Sequence, residues 1–185
     1  MPVDLSGAAD ATLATRAAEG DERAFEVLLR RHLGLMTAYA TRLTSSRADA
    51  ADVVQEASVV IWRELPSLQV PEAVRGWMMK IVSRKAFDLI RSRRPTSDVD
   101  DLEVPSESGA HDDPERVAAS QDAMGALRAA LARLPAGQRQ VWTLREVGGE
   151  SYADIAERTG TTPTVVRGLL ARARETLTRE MEAWR

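Results

Sequence analysis

The sequence predicts an all-α protein: two small helical bundles joined by an acidic flexible linker, the second bundle containing a helix-turn-helix. Three observations predict it. Apolar residues recur at helical spacing through most of the 185 residues, and runs alternating apolar with polar residues are absent. Residues 95–122 interrupt that pattern with Pro, Ser and Asp, and set nine acids against Arg116 alone. Finally, "SYADIAERTGTTPTVVRGLLARAR", Ser151 to Arg174, places a short helix before a glycine and a second helix after a proline.

Each element follows from local signals. Asp10 to Glu19 predicts a short helix stopped by Gly20, and Asp21 can cap the next one. That helix runs to about Leu43 on a stripe of Phe25, Leu28, Leu29, Met36, Ala40 and Leu43. "TSSR" breaks it. A third helix spans about Ala48 to Leu65, with Ala50, Val54, Ala57 and Ile61 on one face. "LPSLQVPE" reads as a loop with two prolines. A fourth helix starts near Glu72, carries Trp77, Ile81, Phe87 and Ile90, and ends before Pro95. The 95–122 segment has too few apolar groups to offset the entropy of ordering, so a linker is expected, extended by its own charge. It either stays a solvated tether or folds back on a basic surface. Helices are then expected from Asp122 to Leu134 and from Gly137 to Val147, the latter stopped by Gly148-Gly149.

Composition narrows the function. There is no cysteine, which excludes disulfides and thiolate metal sites, and two histidines cannot build a histidine cluster. No metal and no cofactor are expected. No run of eighteen apolar residues predicts a membrane span, and the N-terminus lacks the pattern of a secretory signal. A soluble cytoplasmic protein is the expectation. With no glycine-rich phosphate loop either, an enzyme is disfavoured.

Three constellations remain. In the quoted stretch, Ser151 and Asp154 stand at near capping-box spacing, Ala156 is small enough for close helix crossing, and Gly160 can take positive φ. Thr162 suits an N-cap and Pro163 a first helical position, while Val166, Leu170, Ala173 and Leu177 face inward. The outward face reads Thr164, Val165, Gly168, Leu169 and Arg172, with little to hydrogen-bond a base. The second constellation is "RADAADVVQEASVVIWRELP". Asp49, Asp52 and Glu56 form an acidic helix edge flanked by Gln55 and Val59. It fits either a basic helical partner or plain solvation, and composition alone favours solvation. The third is "RGWMMKIVSRKAFDLIRSRR", where seven bases face one acid, Asp88, as an electrostatic footprint for phosphates. Trp62 and Trp77 could stack on bases, although core packing suits their spacing better.

These three pieces, in this order, resemble the extracytoplasmic-function group of bacterial sigma factors, small members of the sigma-70 family. The resemblance covers about Asp10 to Arg94 and Met124 to Glu182. It implies a first domain at 10–94 like sigma region 2, a linker at 95–122, and a region 4-like helix-turn-helix domain at 123–185. It implies that Asp49, Asp52, Gln55 and Glu56 bind the clamp helices of core RNA polymerase. "VRGWMMKIVSRKAFDLIRSRRP" looks like the promoter −10 helix, which points to Arg75, Lys80, Arg84, Lys85, Asp88 and Arg91. The loop from Pro66 to Glu72 matches the one that captures a flipped base. The second domain would contact the polymerase flap and the −35 element, through Thr162, Thr164, Val165, Arg167, Gly168, Leu169 and Arg172. An anti-sigma factor is a possible partner in such a family.

The chain departs from that family where recognition should occur. A common helix start is roughly "GTVKSRLHRAR", and this chain has "TVVRGLLARAR". Gly168-Leu169 replaces a Ser-Arg pair, and Val165 a threonine. Such a helix is expected to hold phosphates and read few base edges, although Val165 or Leu169 can still touch a thymine methyl. Ser58 likewise replaces a common aromatic in the clamp-binding helix, and the 66–72 loop lacks one. The competing readings are a stand-alone helix-turn-helix regulator and a degenerate sigma homologue acting as an adaptor.

Overall fold

Caps set where the helices of the first half begin and end. The structure, a computed structural model, describes residues 5–93 and 120–184. Helix α1 spans Asp10–Ala18 and gives way at Gly20, whose φ of 95° no β-carbon would favour. Asp21 then accepts a hydrogen bond from the Ala24 amide and opens α2, Glu22–Thr44. Left-handed Ser45 ends α2, and the Ser46 hydroxyl accepts from the Asp49 amide to start α3, Arg47–Glu64. The two prolines expected to mark a loop instead sit in 3-10 turns, Leu65–Ser67 and Pro71–Ala73. A proline at the first or second position of a short helical turn forfeits no hydrogen bond. Helix α4 follows as Val74–Arg93.

These four helices pack through α1·α2, α2·α3, α2·α4 and α3·α4 contacts. Leu28, Met36, Leu43, Ala50, Ala57, Ile61 and Val82 lie fully or almost fully out of solvent. Three further buried residues, His32, Tyr39 and Val53, lie outside the expected stripes. Conversely Trp62 is 37% exposed rather than core. It packs against Phe25 with ring centroids 4.8 Å apart and planes tilted 55°. Trp77 is half-buried. A helix offers only about a third of its circumference to one neighbour, and the aliphatic residues of α3 already fill that share.

The chain divides into two units, Met1–Arg94 and Pro95–Arg185. The expected linker lies outside the described residues up to position 119, and α5 starts at Ser120 and runs to Arg133. Helix α6, Ala136–Trp142, widens into a π turn at Thr143–Val147 where one continuous helix was expected. The Gly148 amide reaches back to the Thr143 carbonyl at 3.1 Å, five residues away, and Gly149 follows with φ 66°. The Arg145 guanidinium donates to the Glu150 carbonyl at 2.7 Å and lies 4.9 Å over the Tyr152 ring, so the widened turn is held by its own side chains. Helices α7, Tyr152–Thr159, and α8, Pro163–Trp184, complete the unit. Helix α8 is its spine, packing against α5, α6 and α7. Ala130, Leu131, Leu134, Ala173 and Leu177 make one buried cluster, covered by Leu127 and Trp142. Among the described residues there is no strand, and no helix is long and apolar enough to cross a membrane.

Candidate functional site

The turn between α7 and α8 is built as its residues dictate. The Ser151 hydroxyl accepts from the Asp154 amide and the Asp154 carboxylate accepts from the Ser151 amide, a reciprocal cap. Gly160 closes α7 at φ 67°, and the Thr162 hydroxyl accepts from the Val165 amide at 3.3 Å to open α8. Ile155, Ala156, Val166, Leu170 and Ala173 are buried beneath the turn. Thr162, Thr164, Val165, Arg167 and Arg172 are exposed, and Gly168 and Leu169 are half-buried. Four of the seven candidates, Thr164, Val165, Arg167 and Arg172, are thus exposed on the first turns of α8, with Thr162 as its cap and Gly168 and Leu169 partly covered. The Arg167 guanidinium reaches the Thr164 hydroxyl at 3.3 Å. Arg174 is turned away to pair with Glu146 at 2.6 Å, which holds its pKa above the usual arginine value.

In the first unit, Asp52, Gln55, Glu56, Val59 and Trp62 share the exposed side of α3 at intervals of three and four residues. Val59 is 64% exposed, an apolar group one turn on from the Glu56 carboxylate. Sequence reading assigned Trp62 to the core and so missed its place in this stripe; its three-residue step from Val59 is the signal that could have found it. Asp49 sits at the edge of the stripe, its side chain only 14% exposed and paired with Arg93. Ser58 is half-buried and donates to the Val54 carbonyl.

The bases of α4 divide by face. Lys80, Arg84, Asp88 and Arg91 are exposed at helical intervals along one side, with Arg91 and Asp88 paired at 2.5 Å. Arg75 and Lys85 lie off that line. Lys85 turns toward α3 and pairs with Glu56 at 3.1 Å, and Arg84 approaches Glu64 at 3.5 Å. Together with Arg93–Asp49, three ion pairs run between the acidic helix and the basic one. Beside the 66–72 loop is a cavity of about 300 Å³. Its walls are Ala14, Thr15, Ala18 and Glu19 of α1 with Leu65, Pro66, Leu68 and Pro71.

Two helical units with these surfaces, in this order, are the frame of a two-region sigma factor, and comparison with known proteins agrees. The model for Sigma-70 region 2 matches residues 28–96, and that for Sigma-70, region 4 matches residues 124–177. The chain is 32% identical over 181 residues to the ECF RNA polymerase sigma-E factor of Escherichia coli K12, covering 94% of each. It is 32% identical over 184 residues to the RNA polymerase sigma factor CnrH of Cupriavidus metallidurans, covering 95% of each. With NccH of Alcaligenes xylosoxydans it shares 30% over 175 residues, 91% of this chain and 92% of that one. A solved structure of CnrH in complex with the cytosolic domain of CnrY superposes with a TM-score of 0.54 at 28% identity, over 94% of this chain and 97% of that one. RpoE in complex with the anti-sigma factor NepR from Bartonella quintana shares the fold, at a TM-score of 0.53 and 23% identity over 87% of this chain and 98% of that one.

The chain belongs to the extracytoplasmic-function group of the sigma-70 family: it is an RNA polymerase sigma factor. Proteins of this family bind core RNA polymerase and promoter DNA as initiation factors. Likeness over both regions does not favour the stand-alone regulator or the degenerate adaptor.

Proposed function

We propose that the chain works in the cytoplasm, without catalysis of its own, by docking on core polymerase through residues 10–94 and addressing the upstream promoter through residues 123–185. Asp49, Asp52, Gln55 and Glu56 bind the clamp helices of the largest subunit, with Val59 and Trp62 supplying apolar area beside the charges. Lys80, Arg84 and Arg91 track the phosphates of the −10 segment, Asp88 orients Arg91, and Arg75 and Lys85 flank that track. The cavity beside residues 66–72 takes a base extruded from the opened strand, and its small and aliphatic walls return part of the few kcal/mol that unstacking costs. Thr162, Thr164, Val165, Arg167, Gly168, Leu169 and Arg172 meet the −35 duplex, and the same unit contacts the flap. A protein inhibitor that covers these surfaces would silence the factor; CnrH, a relative, has been solved with the cytosolic domain of CnrY.

One observation carries the reading: the exposed acidic and apolar stripe of α3, the basic face of α4 and the capped helix-turn-helix occur together in a chain matched over 94% of its length by a sigma factor. Run-off transcription with purified core polymerase and genomic DNA fragments, at two salt concentrations, tests it. Transcripts that need both components, and fade in an Asp52→Lys/Glu56→Lys variant, are the expected result. DNA binding that ignores polymerase would defeat the proposal.

A further inference from the structure

Helix α8 carries an apolar pair that its own domain leaves partly uncovered. Val166, Leu170 and Ala173 already fill the space beneath the helix and are at most 1% exposed. Val165 is nevertheless 42% exposed on the first turn, and the half-buried Leu169 follows one turn later. Between them Gly168 leaves a notch. A β-carbon placed there would meet only the Arg172 guanidinium, at 3.9 and 4.0 Å, so Arg172 lies back across the glycine. The first turns of such a helix are the part that meets base edges. Beside the exposed Thr162, Thr164, Arg167 and Arg172, the groups offered there are apolar, and the major groove displays one apolar group, the 5-methyl of thymine.

We infer that α8 selects its duplex through thymine methyls held by Val165 and Leu169, while Arg167 and Arg172 hold phosphates. The inference rests on reading α8 as the promoter-binding helix. Four residues advance about 6 Å along an α-helix, and base pairs rise about 3.4 Å, so the two thymines stand about two steps apart. Gly168 keeps the helix surface low between them, which lets the duplex approach without displacing Arg172.

Deoxyuridine tests this, because it deletes the methyl and leaves every hydrogen-bonding group in place. Promoter duplexes are first selected from a random pool with the complete factor–polymerase complex, then resynthesised with deoxyuridine for thymidine in the upstream segment. Binding is expected to weaken by about 4-fold for each methyl lost. That penalty should vanish in a Val165→Ala/Leu169→Ala variant, whereas Arg172→Ala should weaken both duplexes alike. Leu169→Arg should trade the thymine preference for guanine at the same step. Both sites are outside the buried core, and thermal melts compare the variants' folding. Equal binding of the thymidine and deoxyuridine duplexes, or an undiminished penalty in the double variant, would overturn the inference. Absence of any upstream protection by the intact complex would instead overturn the assignment of α8 to promoter DNA.

Discussion

Asp10 ties the start of α1 to α2 through two partners. Its carboxylate accepts from the Arg31 guanidinium at 2.5 Å and faces the His32 Nε2 at 2.7 Å. Burial pushes this carboxyl up, but the hydrogen bonds and charges of Arg31 and His32 outweigh it and hold the pKa below the ordinary 3.8. A depressed carboxylate contributes stability that is complete above its unfolded value and is lost as pH falls through its folded one. Denaturant unfolding of the first unit should therefore weaken below about pH 4, and Asp10→Asn should flatten that part of the profile. Glu150 is the second such residue. Its side chain is fully buried and accepts from Arg158 Nε at 2.9 Å. Removing one partner of a buried pair strands the other charge, so Arg158→Ala should destabilise the second unit by about 3 kcal/mol in chemical melts. Neither arrangement was legible in the sequence. Asp10 and His32 stand 22 positions apart, and nothing in "EVGGESYADIAER" marks Glu150 as the buried acid among its neighbours.

At the scale of the element, legibility followed the chemistry of termini. Gly20, Asp21, Gly160, Thr162 and Pro163 each announce a boundary through one local interaction, and the boundaries fall there. The π turn at Thr143–Val147 was not legible, since the Arg145–Glu150 contact that holds it depends on the turn already being wide. The α3–α4 ion pairs were also hidden. Each helix read as a single-signed surface, yet Asp49, Glu56 and Glu64 meet Arg93, Lys85 and Arg84 across the packed pair. Glu56, a carboxylate proposed for polymerase, is thus occupied by Lys85, a base proposed for DNA. Exposed pairs of this kind contribute about 0–1 kcal/mol. Lys85→Met is accordingly expected to tighten core polymerase binding by up to about 5-fold, while promoter DNA binding weakens, both measurable by fluorescence titration.

For the whole molecule, the net charge of −3 conceals a division of labour. Residues 95–122 carry nine acids and one base, which leaves the remainder of the chain at +5. An acidic stretch that folds back on a basic surface would compete with phosphates for it. Replacing its Asp and Glu residues by Asn and Gln is expected to raise affinity for non-promoter duplex several-fold at low salt, with the gain fading as salt screens the charges. Fold class was readable at this scale because it rests on long periodic segments. The allocation of charges between partners was not, because it is settled by which helices lie side by side. The Glu56–Lys85 and Asp49–Arg93 pairs then have a further consequence. Whatever takes the acids lightens the work of taking the bases, and the reverse holds to the same degree, as linkage requires. The two ligands would assist one another through bonds that each must break, over and above any contact they make together, and the uncomplexed factor would rest with both hands folded.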